Sequence, residues 1–165
     1  MIKLDPYLKG PLPKNDAVVS SLEFTFDENE ARDDHGRWSV SERVAEEGGM
    51  TYDPHTGSEP TDGFIVAKEG IPSTFVPTDA FLNDDAAAHA ALDRFLLEHA
   101  AEYDDPAAMV GIWHDTDPKH DEIVLDVTEK FDTQDEAVKA GVDRNQQSIW
   151  DVVGKQEIKT GGTGR

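Results

Sequence analysis

Residues 108–127, AMVGIWHD-TDPKHD-EIVLDV, decide the reading of the fold. Two apolar runs flank a polar connector that carries Pro118. β-Branched and aromatic side chains fit a pleated surface, whereas proline and aspartate favour a turn. The segment predicts two strands joined as an antiparallel hairpin.

On the C-terminal side, Thr133 and Glu136 match the S/T-x-x-E box, in which each side chain satisfies a free N–H at a helix start. This predicts a helix over 134–145 with Val138, Gly141 and Val142 on one face. QSIWDVV (147–153) predicts a last strand, and GKQEIKTGGTGR (154–165) a turn and a flexible tail.

On the N-terminal side, GFIVAK (63–68) and STFVPTD (73–79) predict two short strands, the second ended by Pro77. Asn83, Asp84 or Asp85 caps a helix over 85–102. Its apolar face is Ala88, Leu92, Phe95, Leu96 and His99, the period of an amphipathic helix. Asp104, Asp105 and Pro106 end it. The expected class is α+β: a small antiparallel or mixed sheet packed by two helices, with an extended N-terminal arm.

Upstream of Gly63 the pattern thins. WSVSERVAEEGG (38–49) has room for one short helix, and SLEFTF (21–26) alternates as a half-buried strand does. Residues 1–20 carry Pro6, Gly10, Pro11 and Pro13 and read as an extended arm. The expected division is an arm at 1–20, a short strand and acidic loop-rich region at 21–62, a core at 63–153 and a tail at 154–165.

The charge is −20, from 35 acidic and 15 basic residues. A phosphate-tracking groove needs Lys and Arg, so direct nucleic-acid binding is disfavoured. The same field opposes anionic lipid and suits a basic partner. A high-salt source is a second cause of such a charge, because salt screens self-repulsion. With no cysteine, disulfide, thiolate and zinc-finger chemistry drop out. No apolar run approaches a spanning helix, and the opening residues lack the apolar core of a signal peptide. The cytoplasm, or a particle assembled there, is the expected location.

His114, Asp115, Asp117, His120 and Asp121 form the densest set of metal-ligand types. Their spacing matches neither an EF-hand nor H-E-x-x-H, and the same residues serve as turn formers. Asp33, Asp34 and His35 offer an Asp–His pair without a partnered nucleophile. Asp53, His55 and Asp62 lie in an acidic loop; His89 and His99 lie on the helix over 85–102, where His99 packs on the apolar face. No phosphate loop, nucleophile elbow or kinase signature occurs. We therefore assign no catalytic residue, no metal and no cofactor from the sequence. Trp113 and Trp150 fall in predicted strands, where core packing is the simplest reading for at least one. Trp38 is an interface-anchor candidate, as are Ile2, Leu4, Tyr7 and Leu8 on the arm.

Two segments resemble a known group. ARDDHGRWS (31–39) resembles an R-D-x-x-G-R-[FW] linker signature of phage and prophage head proteins. Residues 110–152 are similar to a small accessory domain of actinobacterial phage and prophage head-associated proteins, through Leu125, Asp126, Val127, Arg144, Asn145, Gln146, Ile149, Trp150 and Asp151. The resemblance implies no catalytic residue. Within the resemblance the part of Arg144-Asn145-Gln146 is read as structural from its residue types, since Asn and Gln can close a helix end and feed the next strand. The resemblance also implies a virion-associated structural or accessory protein that binds capsid or connector subunits, with self-association open. Two other classes compete with that expectation. One is an acidic nucleic-acid mimic that inhibits a host defence nuclease, motivated by the charge. The other is a metal-dependent hydrolase built on 114–121.

Overall fold

The computed structural model describes residues 39–164. Among the described residues, four α-helices accompany a seven-stranded sheet. In chain order the elements are α1 (Val40–Glu47), β1 (Gly49–Tyr52), β2 (Phe64–Ala67), β3 (Thr74–Pro77), α2 (Thr78–Leu82), α3 (Asp85–Glu98), a 3₁₀ turn (Glu102–Asp104), β4 (Met109–Asp115), β5 (Glu122–Phe131), α4 (Gln134–Asp143), β6 (Ser148–Asp151) and β7 (Gln156–Lys159). The class is α+β.

Every strand pairing is antiparallel, in the order β1-β4-β5-β2-β6-β7, and β3 also pairs with β5. The predicted hairpin is the centre of this sheet. Ten-residue β5 pairs with β4 along one edge; its other edge is shared by β3, opposite 122–125, and β2, opposite 128–131. β2 and β3 are thus one line of pairing interrupted by the loop 68–73. Lys68 N–H still donates to Val127 O at 2.7 Å before that loop leaves the sheet.

Alternation along β5 puts Ile123, Leu125, Val127, Glu129 and Phe131 on one face. Ile123, Leu125 and Val127 pack with Val40 and Val44 of α1, Phe81 of α2 and Leu92, Phe95 and Leu96 of α3. Phe131 joins Val66, Ile149 and Ala137 of α4 in a second cluster. All four helices therefore cover the same face of the sheet. The opposite face carries Trp113, Val124, Asp126, Thr128, Ile65 and Trp150 and curls into a half-barrel.

The caps are local and legible. Thr133 accepts the Glu136 N–H at 3.4 Å and donates to the Glu136 carboxylate at 2.7 Å. Asp84 caps α3, and Ser39 caps α1 through the Glu42 N–H at 3.3 Å. At the end of α4, Asn145 takes a left-handed φ of 55° while the N–H of Gln146 reaches back to Gly141 O at 2.9 Å. Asn tolerates that conformation, so the Arg-Asn-Gln turn closes the helix as its residue types suggest.

Three expectations about extent need correction. The core does not begin at Gly63: Val40, Val44, Met50 and Tyr52 are buried in the main cluster, so α1 and β1 belong to the domain. The helix over 85–102 stops at Glu98; His99 is its C-cap, and its carbonyl accepts the N–H groups of Glu102 and Tyr103 in a tighter turn. Residues 154–164 are not a free tail. β7 pairs with β6, and the N–H groups of Gly162 and Gly164 donate to Gln146 O and Asn145 O at 3.0 and 2.9 Å. A Cβ on Gly162 would stand 2.3 Å from Gln146 O, so this glycine serves close approach of backbones. Two helices were expected to pack the sheet, and α1 and α2 add to α3 and α4. The arm at 1–20, with Ile2, Leu4, Tyr7 and Leu8, lies outside the described residues, as do the strand at 21–26, the Asp33-Asp34-His35 pair and Trp38.

Candidate functional site: the helix-free face of the sheet

The curled face encloses an open hollow of about 1450 Å³. Its floor is made where β4 and β5 cross the middle of the sheet. Gly111 lies opposite Asp126, and Trp113 opposite Val124. A Cβ on Gly111 would fall 2.6 Å from Thr128 Cγ2, and one on Gly49 would fall 2.6 Å from Ile112 O. Space is scarce on the inside of a curled sheet, and glycine at these two inner positions permits the curl.

Asp126 is the one acidic side chain that β5 directs into the middle of this floor. It is partly buried, and Ser73 Oγ donates to its Oδ1 at 2.5 Å. The Trp113 indole is a second donor. Burial pushes the carboxyl above the usual aspartate range, and the two donors only partly offset that effect. The Ser73 bond also anchors the loop 68–73, whose insertion splits β2 from β3. Such a group, in an aromatic and aliphatic setting, is equipped to receive a hydrogen-bond donor or a cation.

The rim of the hollow is charged. Its cations are largely engaged with carboxylates: Lys68 with Asp105 at 2.8 Å, Arg144 with Glu129 at 2.7 Å and Lys159 with Glu157 at 2.8 Å. Arg144 also lies over the Phe131 ring at 5.6 Å and donates to Ala67 O at 2.8 Å. Gln146 completes the edge of β2 with its side chain, accepting the Ala67 N–H at 3.1 Å and donating to Ala67 O at 2.8 Å. Arg144-Asn145-Gln146 thus ties α4, β2 and the C-terminal segment together.

The 114–121 set is only partly assembled. His114 Nε2 and Asp121 Oδ1 are 2.9 Å apart, and Thr78 donates to the same oxygen at 3.1 Å. The His114 contact, followed by that of Thr78, holds the Asp121 carboxyl below its ordinary range. Asp115 is buried and accepts the Asp117 N–H, while Asp117 accepts that of Lys119. These are turn-forming bonds. Among the described residues, no group of three or more His, Asp and Glu side chains is placed to hold a metal ion.

The remaining sequence candidates are dispersed. Asp53 accepts the His55 N–H at 2.8 Å, His55 Nε2 contacts Tyr103 O at 2.7 Å, and Asp62 pairs with Lys130. His89 is buried 3.4 Å from Asp85, and the His99 ring packs on Phe95 with centroids 4.6 Å apart. Neither strand tryptophan sits in the helix-side core: Trp113 is half-buried and Trp150 is 38% exposed, both on the hollow's face. Sequence reasoning named Trp113 but missed Asp126 and Ser73 as its neighbours. The available signal was an aspartate inside the otherwise apolar run IVLDV.

Among the described residues no helix is long and apolar enough to cross a membrane. No family model, no curated protein and no solved structure matches this chain.

Proposed function

We propose that this chain is a non-enzymatic protein that works by binding other protein, and that its setting is a phage particle, on a capsid or connector subunit. The observation that carries the binding part is the asymmetry of the sheet. Four helices bury one face, while the other keeps an open hollow with Trp113 and Trp150 on it. Aromatic side chains around a concave surface are common at recognition sites. The charge of −20 gives the partner's sign: a basic surface, which complementary fields would bring to this one faster.

The particle assignment rests on the resemblance of 31–39 and 110–152. Residues 110–152 span most of β4, all of β5 and α4, and β6. The Arg-Asn-Gln turn within it closes α4 and pairs with Ala67.

Density-gradient purification of particles made from the genome that carries this chain tests the setting. The expected result is co-sedimentation at fixed stoichiometry; absence from the particles overturns it. Deleting residues 1–20 then tests the arm: weaker particle binding by a folded remainder is expected, and undiminished binding at all salt concentrations removes the arm and the charge from the mechanism.

A further inference from the structure

We propose that the hollow is a receptor for one cationic side chain of a partner protein, a lysine or arginine, with Asp126 as its counter-charge and Trp113 as its wall. The proposal rests on the protein-binding reading above and names the site within it.

Three observations converge. Asp126 lines the hollow from β5, opposite Gly111 and beside Trp113, which lines it from β4. A carboxylate has about four acceptor positions, and its donors here are the Ser73 hydroxyl and the Trp113 indole, both neutral. The nearby cations of the rim, Lys68 and Arg144, are already paired with Asp105 and Glu129. An ammonium or guanidinium group entering the hollow would bring the charge that the local donors lack. The aromatic face of Trp113 would favour the same group through its quadrupole. An anionic ligand would meet Asp126, Asp115 and Glu69 and an overall charge of −20, so the occupant's sign is set by the site and by the whole chain.

The test uses the full chain and a defined probe, a nonapeptide of alternating arginine and glycine with blocked ends. Binding is followed by calorimetry and by the Trp113 indole N–H resonance. Asp126→Asn keeps an oxygen for Ser73 and is compared with Asp135→Asn, an equal change of charge on α4, across the sheet from the hollow. The expected result is at least tenfold weaker binding for Asp126→Asn, less than twofold for Asp135→Asn, and an indole shift in the unsubstituted protein. Trp113→Leu supplies a second reading, with a loss of similar order, should Asp126→Asn fail to fold. Equal affinities for the two charge variants with an unmoved indole would overturn the site and leave the broader protein-binding reading standing. No binding of the basic peptide even at low salt would overturn both the site and the expectation of a basic partner. A dimer that dissociates when Asp126 is substituted would place a second copy in the hollow and overturn the assignment to a different protein.

Discussion

Gly111 and Thr128 are neighbours on adjacent strands, and a Cβ on the first would lie 2.6 Å from Cγ2 of the second. The pair sets how tightly β4 and β5 close the floor of the hollow. Gly111→Ala should therefore destabilise by about 1–3 kcal/mol, the usual range for overpacking. Thr128→Ser removes the obstructing methyl and keeps the hydroxyl that donates to Met109 O at 3.1 Å. Urea denaturation of the two single variants and the double should give a favourable coupling of at least ~0.5 kcal/mol. Additive losses would mean that the strands accommodate the methyl by moving apart.

A second relationship joins two helix starts. Asp85 Oδ1, in the first turn of α3, accepts from Ser41 N at 3.2 Å and Ser41 Oγ at 2.9 Å in the first turn of α1. Both Ser39 and Ser41 are buried, so their polar groups depend on such partners. Asp85→Ala should cost about 1–3 kcal/mol, and Asp85→Asn less, because Asn retains the acceptor. The measurement is the urea midpoint at unchanged m-value. A loss below ~0.5 kcal/mol for the alanine variant would show that the α1–α3 contact is held by Val40 and Val44 alone.

How much of this was legible depended on the range of the signal. The hairpin, the Thr133 box and the Asp84 cap were readable because each is decided within a few residues. α1 was less distinct and β1 was missed: Gly-Met-Thr-Tyr at 49–52 has no propensity that separates it from a loop, and its pairing with β4 lies some 60 residues away in sequence. The Gly-rich end read as flexible because glycine is permissive; that the same glycines allow close approach to Asn145 and Gln146 is a tertiary fact. Asp126 was unreadable as a site for a related reason. In EIVLDV the alternation sets Asp126 on the face opposite Ile123, Leu125 and Val127, but the partners that make a site of it there, Ser73 and Trp113, come from other elements and are not marked in the local sequence.

Gln146 offers a test of side-chain pairing in place of a strand. Its amide both accepts from Ala67 N and donates to Ala67 O. Arg144 shares the carbonyl but cannot accept from the N–H. Gln146→Ala should cost about 1–3 kcal/mol through the unsatisfied N–H. Exchange of the Ala67 amide should accelerate, while amides in the centre of β4 change only with global stability. Gln146→Glu, which keeps an acceptor and loses the donor, should fall between the alanine variant and the unsubstituted protein. Unchanged protection at Ala67 in Gln146→Ala would mean that water or backbone takes over the bond.

The pH dependence of stability follows from Asp126. Burial raises its folded-state pKa above the unfolded value of about 3.9 for aspartate. An acid shifted upward favours the folded state when protonated. Its stabilising contribution is full below the unfolded pKa and is lost as pH rises through the folded pKa; above that, the chain carries the cost of a partly buried charge. Asp126→Asn removes this titration and retains an acceptor for Ser73. The variant should therefore melt at a higher temperature than the unsubstituted protein near pH 7. The difference should shrink as pH falls through the carboxylate range and vanish near pH ~3, where both side chains are neutral. Carboxylates elsewhere, including the oppositely shifted Asp121, are present in both proteins and cancel in the difference. Thermal unfolding at several pH values and constant ionic strength measures it. A variant less stable than the parent at pH 7, with the gap closing toward low pH, would reverse the sign. That outcome would mean that Asp126 is held charged by donors stronger than Ser73 and Trp113.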